Sequence, residues 1–276
     1  MDDGSSFFPA PTSHIAEATA GRTLFLSDLH LGMIGSKAEL LLEFLRLHDA
    51  ETIYLVGDLI DTWRPLGNNW PDSHHAVLRQ LTRLAQAGRR VIYVPGNHDA
   101  FFRHHCGTGL FGFEIRHEAV HHTADGRRLL ITHGDCCDIF SGRLAMLSRA
   151  GSLAETGVRR LGRTINALRH RLGHDGWDGL EAVLARINRL IRARDRFEER
   201  LYRMASERGF DGIVCGHFHK PALHSDYGAL YANCGDWVDH ATAVIEDHDG
   251  SLRLVHWPEG VVPVAGQQHG LHPEPA

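Results

Sequence analysis

The chain has 276 residues, of which 43% are hydrophobic and 23% are charged, and its formal net charge is −5. This length suits one large domain or a domain with an insertion, at about 100–200 residues per domain. The negative charge argues against a nucleic-acid-binding polycation, so no nucleic-acid partner is expected. The five cysteines form no CxxC pair, which favours free thiols in a reducing compartment.

Both ends of the chain differ in composition from the rest. The first residues are acidic, contain Pro and Ser, and do not resemble a secretory signal. We predict a disordered leader over 1–21 and a flexible tail over 263–276. No apolar stretch reaches the ~18 residues of a membrane span. We therefore predict a cytoplasmic protein, and peripheral contact with the inner membrane stays open.

The elements predicted for the first half of the chain alternate between strands and helices. Short apolar runs that end in turn residues indicate buried strands. Ser36 and Glu39 have the spacing of a capping box at the start of the first helix. This alternation is typical of a parallel α/β sheet. The predicted strands are 23–27, 52–56 and 90–94, and the predicted helices are 36–48 and 73–87.

In the second half the predicted strands follow one another closely, which favours an antiparallel or mixed sheet. A sandwich of two sheets accommodates both halves, so we predict the α/β class with four layers, α/β/β/α. Its core would be formed by residues 22–140 and 206–262. The additional predicted strands are 119–123, 128–132, 212–215, 229–232, 241–246 and 251–256.

A segment rich in arginine separates the two parts of this core. Residues 141–200 hold thirteen Arg, no Lys and seven acids, a balance of +6, and their apolar residues recur at helical spacing. We predict a helical cap insertion over 141–205. Its arginines could simply be solvated while its apolar stripe forms a core. Alternatively, the arginines meet phosphate groups or anionic lipid, and the stripe receives acyl chains.

Polar clusters follow the predicted strands, in the segments SDLH, GDLID, GNHD, THGD and GHFH. Ligands of open α/β sheets bind at the carboxyl ends of the strands, so five such clusters can converge on one place. The candidate residues are Asp28, His30, Asp58, Asp61, Asn97, His98, His133, His217 and His219. Asp99 and Asp135 are predicted to be structural. Six paired histidines are predicted to lie on the surface: His74, His75, His104, His105, His121 and His122.

The candidate ligands offer carboxylate and amide oxygens and imidazole nitrogens, without a thiolate. That set suits Mn, Fe or Zn better than a cysteine-type structural zinc site. Seven ligands are too many for one tetrahedral ion, but a carboxylate that bridges two ions accounts for them. Two ions ~3.5–4 Å apart can activate a bridging water and stabilise an in-line displacement at phosphorus.

The ordered blocks D-x-H, G-D-x-x-D, G-N-H-D, H-G-D and G-H-x-H resemble those of the calcineurin-like metallophosphoesterase superfamily. The resemblance extends from Asp28 to His219 and implies a metallophosphoesterase sandwich with two divalent ions, manganese first and iron or zinc as alternatives. It also implies catalytic roles for His98, beside the phosphoryl oxygens, and for Asp61, which would orient His98. The implied metal ligands are Asp28, His30 and His219 for one ion, Asn97, His133 and His217 for the other, and Asp58 as the bridge.

Within this superfamily the chain looks like the UDP-2,3-diacylglucosamine diphosphatase family. That likeness implies hydrolysis of a nucleotide-lipid diphosphate to UMP and an acylated sugar 1-phosphate, with the cap holding the acyl chains. There is one departure, because His98 stands where the best-known members carry Arg. The segment NCGDW (Asn233–Trp237) also looks closer to a paralogous branch. A phosphoesterase acting on another phosphodiester or phosphomonoester, lipid or soluble nucleotide, is therefore the alternative, and an inactive binding scaffold ranks last.

Overall fold

The computed structural model describes residues 19–63, 70–137, 197–258 and 260–261. Residues 1–18 of the predicted leader, the whole predicted tail (263–276) and residues 141–196 of the predicted cap lie outside these residues. The helices are α1 (Ala38–Leu47), α2 (Asp72–Gln86) and α3 (Phe197–Glu207). Two 3-10 helices span Ala100–His105 and Asp135–Cys137.

The described strands agree closely with the longer apolar runs of the sequence. They are β1 (Thr19–Leu26), β2 (His48–Val56), β3 (Arg90–Val94), β4 (Gly109–Leu110), β5 (Phe113–Ile115), β6 (Ala119–His122), β7 (Arg128–Ile131), β8 (Gly212–Cys215), β9 (Ala222–His224), β10 (Leu230–Asn233), β11 (Thr242–Glu246), β12 (Leu252–His256) and β13 (Gly260–Val261).

The described strands form two sheets. The first has eight strands in the order β13-β12-β11-β1-β2-β3-β5-β4, and the second has five in the order β6-β7-β8-β10-β9. Strands β1, β2, β3 and β5 are mutually parallel in the first sheet, and β7, β8 and β10 are parallel in the second. The remaining pairs are antiparallel, so both sheets are mixed, and the predicted α/β class with two sheets is confirmed.

The central strands bury both of their faces because successive side chains point to opposite sides of a sheet. In β1, Leu24 packs with α1 and α2 on the outer face, whereas Phe25 packs between the two sheets. The Phe25 ring stacks on that of Tyr54 in β2, with centroids 5.1 Å apart. On the far side of the second sheet, Phe197 and Leu201 of α3 are buried. The layers are therefore α/β/β/α.

Two domain boundaries differ from those predicted. Strand β1 begins at Thr19, so the last three residues of the predicted leader lie in the first sheet. Residues 197–205, which the predicted cap includes, lie in α3 and pack against the second sheet. Within the described ranges, no helix combines the length and the apolar character needed to cross a membrane.

Three local predictions are wrong. Helix α1 begins after Lys37 without a side-chain cap, because the Ser36 hydroxyl donates to the Leu29 carbonyl oxygen at 2.8 Å instead of closing a capping box. His74 is buried and accepts a hydrogen bond from the Gly32 amide through Nδ1. His121 is also buried, between the sheets, with its Nε2 2.7 Å from a Glu246 carboxylate oxygen.

Candidate functional site

The five polar clusters follow the carboxyl ends of β1, β2, β3, β7 and β8. Backbone hydrogen bonds join neighbouring clusters: the Asp28 amide donates to the Gly57 carbonyl at 3.0 Å, and the His30 amide donates to the Asp58 carbonyl at 2.9 Å. In the second sheet, the Gly216 amide donates to the His133 carbonyl at 3.1 Å, and the His217 amide donates across the two sheets to Asp28 Oδ2 at 2.9 Å. The parallel strands thus deliver all five clusters to one edge of the sandwich.

One half of the site is formed by Asp28, His30 and His219. The two imidazole Nε2 atoms are 3.1 Å apart. Asp28 Oδ1 lies 3.3 Å from His219 Nε2 and 3.6 Å from His30 Nε2. Asp28 and His30 are buried, whereas the His219 side chain is 26% exposed. Three ligand atoms therefore face one small volume that is open to solvent on the His219 side.

The other half contains Asn97, His133 and His217. Asn97 Oδ1 is 3.1 Å from His133 Nε2, and the His133 and His217 rings have centroids 5.2 Å apart. Asp58 lies between the halves, with Oδ2 3.3 Å from His133 Nε2 and 3.8 Å from the Nε2 atom of His30. The structure thus brings all seven predicted ligands together.

Backbone donors fix the orientation of both carboxylates. The His98 amide donates to Asp58 Oδ1 at 2.8 Å, which leaves Oδ2 facing the imidazoles. The His217 amide donates to Asp28 Oδ2 at 2.9 Å, and the Ser27 hydroxyl donates to the same oxygen at 2.7 Å. Each carboxylate is consequently fixed by a backbone amide of another cluster, and its second oxygen faces the imidazoles of the site.

The backbone at the site adopts positive φ angles, which residues other than glycine rarely take. Of the seven non-glycine residues with positive φ among those described, five are predicted ligands. Such strain is characteristic of functional sites, where the surrounding structure holds the residue in place. The five are Asp28 (φ 53°), His30 (46°), Asp58 (51°), His217 (73°) and His219 (53°).

Glycines make room for the ligands. A Cβ atom at Gly96 would lie 2.2 Å from Asp58 Oδ1, and one at Gly216 would lie 2.4 Å from Asp28 Oδ2. Both distances are far below van der Waals contact, so any side chain at these two positions would displace a carboxylate.

The carboxylates and imidazoles perturb one another strongly. Burial alone would raise the pKa of Asp28, but the adjacent His219 and His30 hold it well below its ordinary range. Burial opposes protonation of His219, yet Asp28 raises its pKa to about 9. Likewise Asp58 and Asp28 overcome the effect of burial and raise the pKa of His133 well above its ordinary value. The site therefore concentrates negative charge where a cation would be stabilised.

The donor set and its surroundings fit divalent cations. Asp28 Oδ1 is buried and accepts no hydrogen bond within the described residues, although it lies beside two imidazoles. Ligand atoms of Asp28, His30 and His219 lie within 4.8 Å of one another, as do those of Asp28, Asp58 and His133. An oxygen and imidazole set of this kind suits borderline divalent ions such as Mn, Fe and Zn.

His98 stands at the rim of this cluster. Its Nδ1 lies 3.1 Å from Asp61 Oδ1, and its ring makes an edge contact with His30, with centroids 4.7 Å apart. The side chain is 17% exposed, so one face of the site remains accessible. The predicted pair of Asp61 and His98 is thus in contact and adjacent to the predicted ligands.

Sequence reasoning missed two residues at the site. The Trp63 indole stacks on His98, with centroids 3.8 Å apart and planes 20° from parallel, and its Nε1 donates to the Asn97 carbonyl oxygen at 3.1 Å. Asp236 is buried three residues after β10, with Oδ2 3.8 Å from His219 Nδ1. The available signal for Asp236 was its position after a strand that ends at the same edge.

The two aspartates that were predicted to be structural have that character. Asp99 is buried and accepts hydrogen bonds from the amides of Gly96 and Leu59, both at 2.6 Å, and it thereby joins the loops after β3 and β2. Burial and the neighbouring Asp58 charge raise the pKa of Asp99 to about 6. Asp135 forms an ion pair with Arg103 at 2.8 Å.

Comparison with known proteins supports the character of the site. Residues 21–221 match the family model described as calcineurin-like phosphoesterase. The chain is 28% identical to UDP-2,3-diacylglucosamine hydrolase of Xanthomonas campestris, over 83% of this chain and 96% of that protein. It is also 28% identical to UDP-2,3-diacylglucosamine hydrolase of Cellvibrio japonicus, over 85% of this chain and 98% of that protein.

A comparison of folds gives solved structures that are similar over most of the chain. One is Yfce, a phosphoesterase from E. coli, with 14% sequence identity, a TM-score of 0.47, and coverage of 87% of this chain and 96% of that one. The family model alone covers well over half of the chain and includes all five polar clusters. The chain therefore belongs to the calcineurin-like phosphoesterase family of metal-dependent hydrolases.

Proposed function

We propose that this protein hydrolyses the diphosphate bond of a nucleotide-lipid similar to UDP-2,3-diacylglucosamine, and that it releases UMP and an acylated sugar 1-phosphate. The observation that carries the proposal is the convergence of seven oxygen and nitrogen ligands beside His98 at one edge of the sandwich. The names of relatives that align with more than four fifths of the chain support this substrate class.

We further propose that two divalent cations, preferably manganese with iron or zinc as alternatives, are held by these ligands. Asp28, His30 and His219 would hold one ion, and Asn97, His133 and His217 would hold the other. When bound, the cations would polarise the phosphoryl group and activate the attacking water. The amide donors on Asp58 and Asp28 support this arrangement, because they fix the carboxylates before a cation arrives.

The protein groups around this cluster would orient the substrate and stabilise charge. His98 would lie beside the phosphoryl oxygens, where it stabilises their charge or gives a proton to the leaving oxygen. Asp61 would hold the Nδ1 side of His98, so that Nε2 is the nitrogen offered to substrate. The Trp63 indole would keep the imidazole plane fixed by stacking on it.

The alternative is a metallophosphoesterase of a paralogous branch that acts on a different phosphodiester or phosphomonoester. His98 favours it, because an imidazole stands where the best-known lipid-cleaving members have Arg, and so does the segment that contains Asp236.

Manganese-loaded protein should be incubated with UDP-2,3-diacylglucosamine, a simple diester and a phosphomonoester. Release of UMP with by far the highest kcat/KM supports the proposal, whereas faster cleavage of a simple ester would favour the paralogous branch. Asp58→Asn, which should lose turnover, is the control for a contaminating hydrolase.

We also propose that the protein is cytoplasmic and contacts the inner membrane through its arginine-rich segment. The support is the balance of +6 within residues 141–200 of a chain whose net charge is −5. Co-sedimentation with anionic vesicles, lost when salt is raised and absent with neutral vesicles, is the expected result. Equal recovery with both kinds of vesicle, or with neither, would contradict membrane contact.

A further inference from the structure

Asp236 occupies the end of a strand that none of the five clusters uses. It follows β10, which is parallel to β8 and hydrogen-bonded to it, and His219 follows β8. The carboxylate is fully buried at 0% exposure. A buried carboxylate requires a structural or functional partner, because isolated charge is strongly disfavoured away from water.

The Asp236 carboxylate is held in one orientation. Its Oδ1 accepts hydrogen bonds from the backbone amides of Val238 at 2.7 Å and His240 at 3.3 Å, and also from that of Asp239. Its Oδ2 is 2.6 Å from His240 Nδ1 and 3.8 Å from His219 Nδ1. The turn therefore fixes one oxygen and leaves the other between two imidazoles.

The orientation of His219 determines which of its nitrogens faces the ligand cluster. Nε2 is the inward nitrogen, 3.3 Å from Asp28 Oδ1 and 3.1 Å from His30 Nε2. A neutral imidazole that offers its Nε2 lone pair to a cation must carry its proton on Nδ1. Asp236 Oδ2 lies on the Nδ1 side of His219 at 3.8 Å, which is within ion-pair distance and slightly longer than a direct hydrogen bond.

Two other imidazoles of the site also have an acceptor on the Nδ1 side, in both cases at hydrogen-bond distance. His133 directs Nδ1 at the Val56 carbonyl oxygen, 3.0 Å away, and turns Nε2 toward Asp58. His98 directs its Nδ1 at Asp61. An acceptor behind the ring fixes both the position of the proton and the plane of the imidazole, which strengthens ligation through the opposite nitrogen.

We propose that Asp236 is a positioning residue whose carboxylate attracts the Nδ1–H group of His219 and thereby holds Nε2 toward one of the two cations. The proposal rests on the proposed ligand role of His219. It assigns to Asp236 no contact with substrate. We expect its effect at one ion, because its Oδ2 lies beside His219, which the proposal assigns to that ion alone.

The test is a calorimetric titration of metal-free protein with MnCl₂, with bound metal counted by mass spectrometry. Asp236→Asn keeps an oxygen that can accept the backbone amides, and Asp236→Ala removes both carboxylate oxygens of residue 236 while the nearby Asp239 carboxylate remains. In both variants one binding step should weaken by about 10–100-fold while the other stays unchanged. The matched control is Asp125→Asn in the exposed turn between β6 and β7, where the carboxylate pairs with Arg127, and both binding steps should stay as in the wild type.

Two results would overturn the proposal. One is wild-type affinity at both steps in Asp236→Asn and in Asp236→Ala. The other is equal weakening of both steps together with a lower melting temperature of the metal-free variants, since that pattern indicates a general structural role. The titration uses no substrate. Wild-type protein that binds two ions without releasing UMP would therefore refute the proposed function alone.

Discussion

Replacement of Gly96 by alanine tests whether the loop geometry around Asp58 is needed for the ligand cluster. The added methyl group would lie 2.2 Å from Asp58 Oδ1 and 2.7 Å from both Cδ2 and Nε2 of His133. Ordinary contacts are about 3.5 Å, so these groups must move by roughly 1 Å. The φ angle of Gly96 is not positive, which means that alanine adds no backbone strain at this position.

A displacement of about 1 Å in catalytic groups typically lowers turnover by about 10²-fold. We therefore expect Gly96→Ala to lower kcat/KM by about 10²-fold and to weaken manganese binding. The effect on the free energy of unfolding should be that of an overpacked site, about 1–3 kcal/mol. Steady-state kinetics, calorimetric metal titration and urea unfolding measure the three quantities.

The matched control is Gly88→Ala, just after the end of α2. Gly88 has a φ of +90°, but a Cβ atom there would meet nothing within 4 Å. This variant should lose about 1–2 kcal/mol of stability through backbone strain and keep metal binding and turnover unchanged. If Gly96→Ala bound two manganese ions with wild-type affinity, the inference that Gly96 makes room for Asp58 would be wrong.

Three further predictions concern single side chains. His98→Ala should lower turnover by about 10²–10⁴-fold while both cations stay bound, and an unchanged rate would refute its catalytic role. Trp63→Leu should lower kcat more than it raises KM, with partial recovery in Trp63→Phe, because a ring restores stacking on the imidazole; equal rates for Leu and Phe would contradict this. Burial opposes ionisation of Glu246, but hydrogen bonds from His121 and from other donors lower its pKa to about 2. The ionised carboxylate therefore stabilises the folded protein fully above about pH 4.3, and this contribution is lost as pH falls through about 2. Glu246→Gln should accordingly lower the free energy of unfolding at pH 7 by about 2 kcal/mol, and that free energy should decline less steeply below pH 4.3 than in the wild type. Urea unfolding at several pH values measures both effects, and a pH profile identical to that of the wild type would contradict this role of Glu246.

The sandwich and the candidate site could be predicted because their signals are local. Each strand that leads to a ligand cluster ends in an apolar run of three or four residues, and the cluster follows that run closely, as Asp28 follows β1 and His133 follows β7. Parallel strands meet at one edge, so local positions along the chain were sufficient to predict their convergence. The positive φ angles of residues such as His30 and His217 could not be predicted from the sequence, because a histidine rarely adopts that conformation.

What escaped prediction depends on partners that are distant in sequence. His121 is buried because Glu246, 125 residues later, faces it across the two sheets, and nothing in the spacing of the paired histidines indicates that contact. Ser36 bonds to a carbonyl of the preceding loop, which competes with the expected cap. Strands β4 and β9 have two and three residues, too few to show any alternation. Asp236 is a single acidic residue in a short segment, and its role can be inferred only from its position beside His219 in the fold.

The hydrogen bond from the His217 amide to Asp28 joins groups that are 189 positions apart. Neither half of the chain alone can reproduce that arrangement, so a partly folded molecule offers divalent ions no comparable affinity. Ligands that bind only the native state shift the folding equilibrium by mass action. The supply of divalent cations during synthesis should therefore influence how much of this protein survives proteolysis, independently of their influence on turnover.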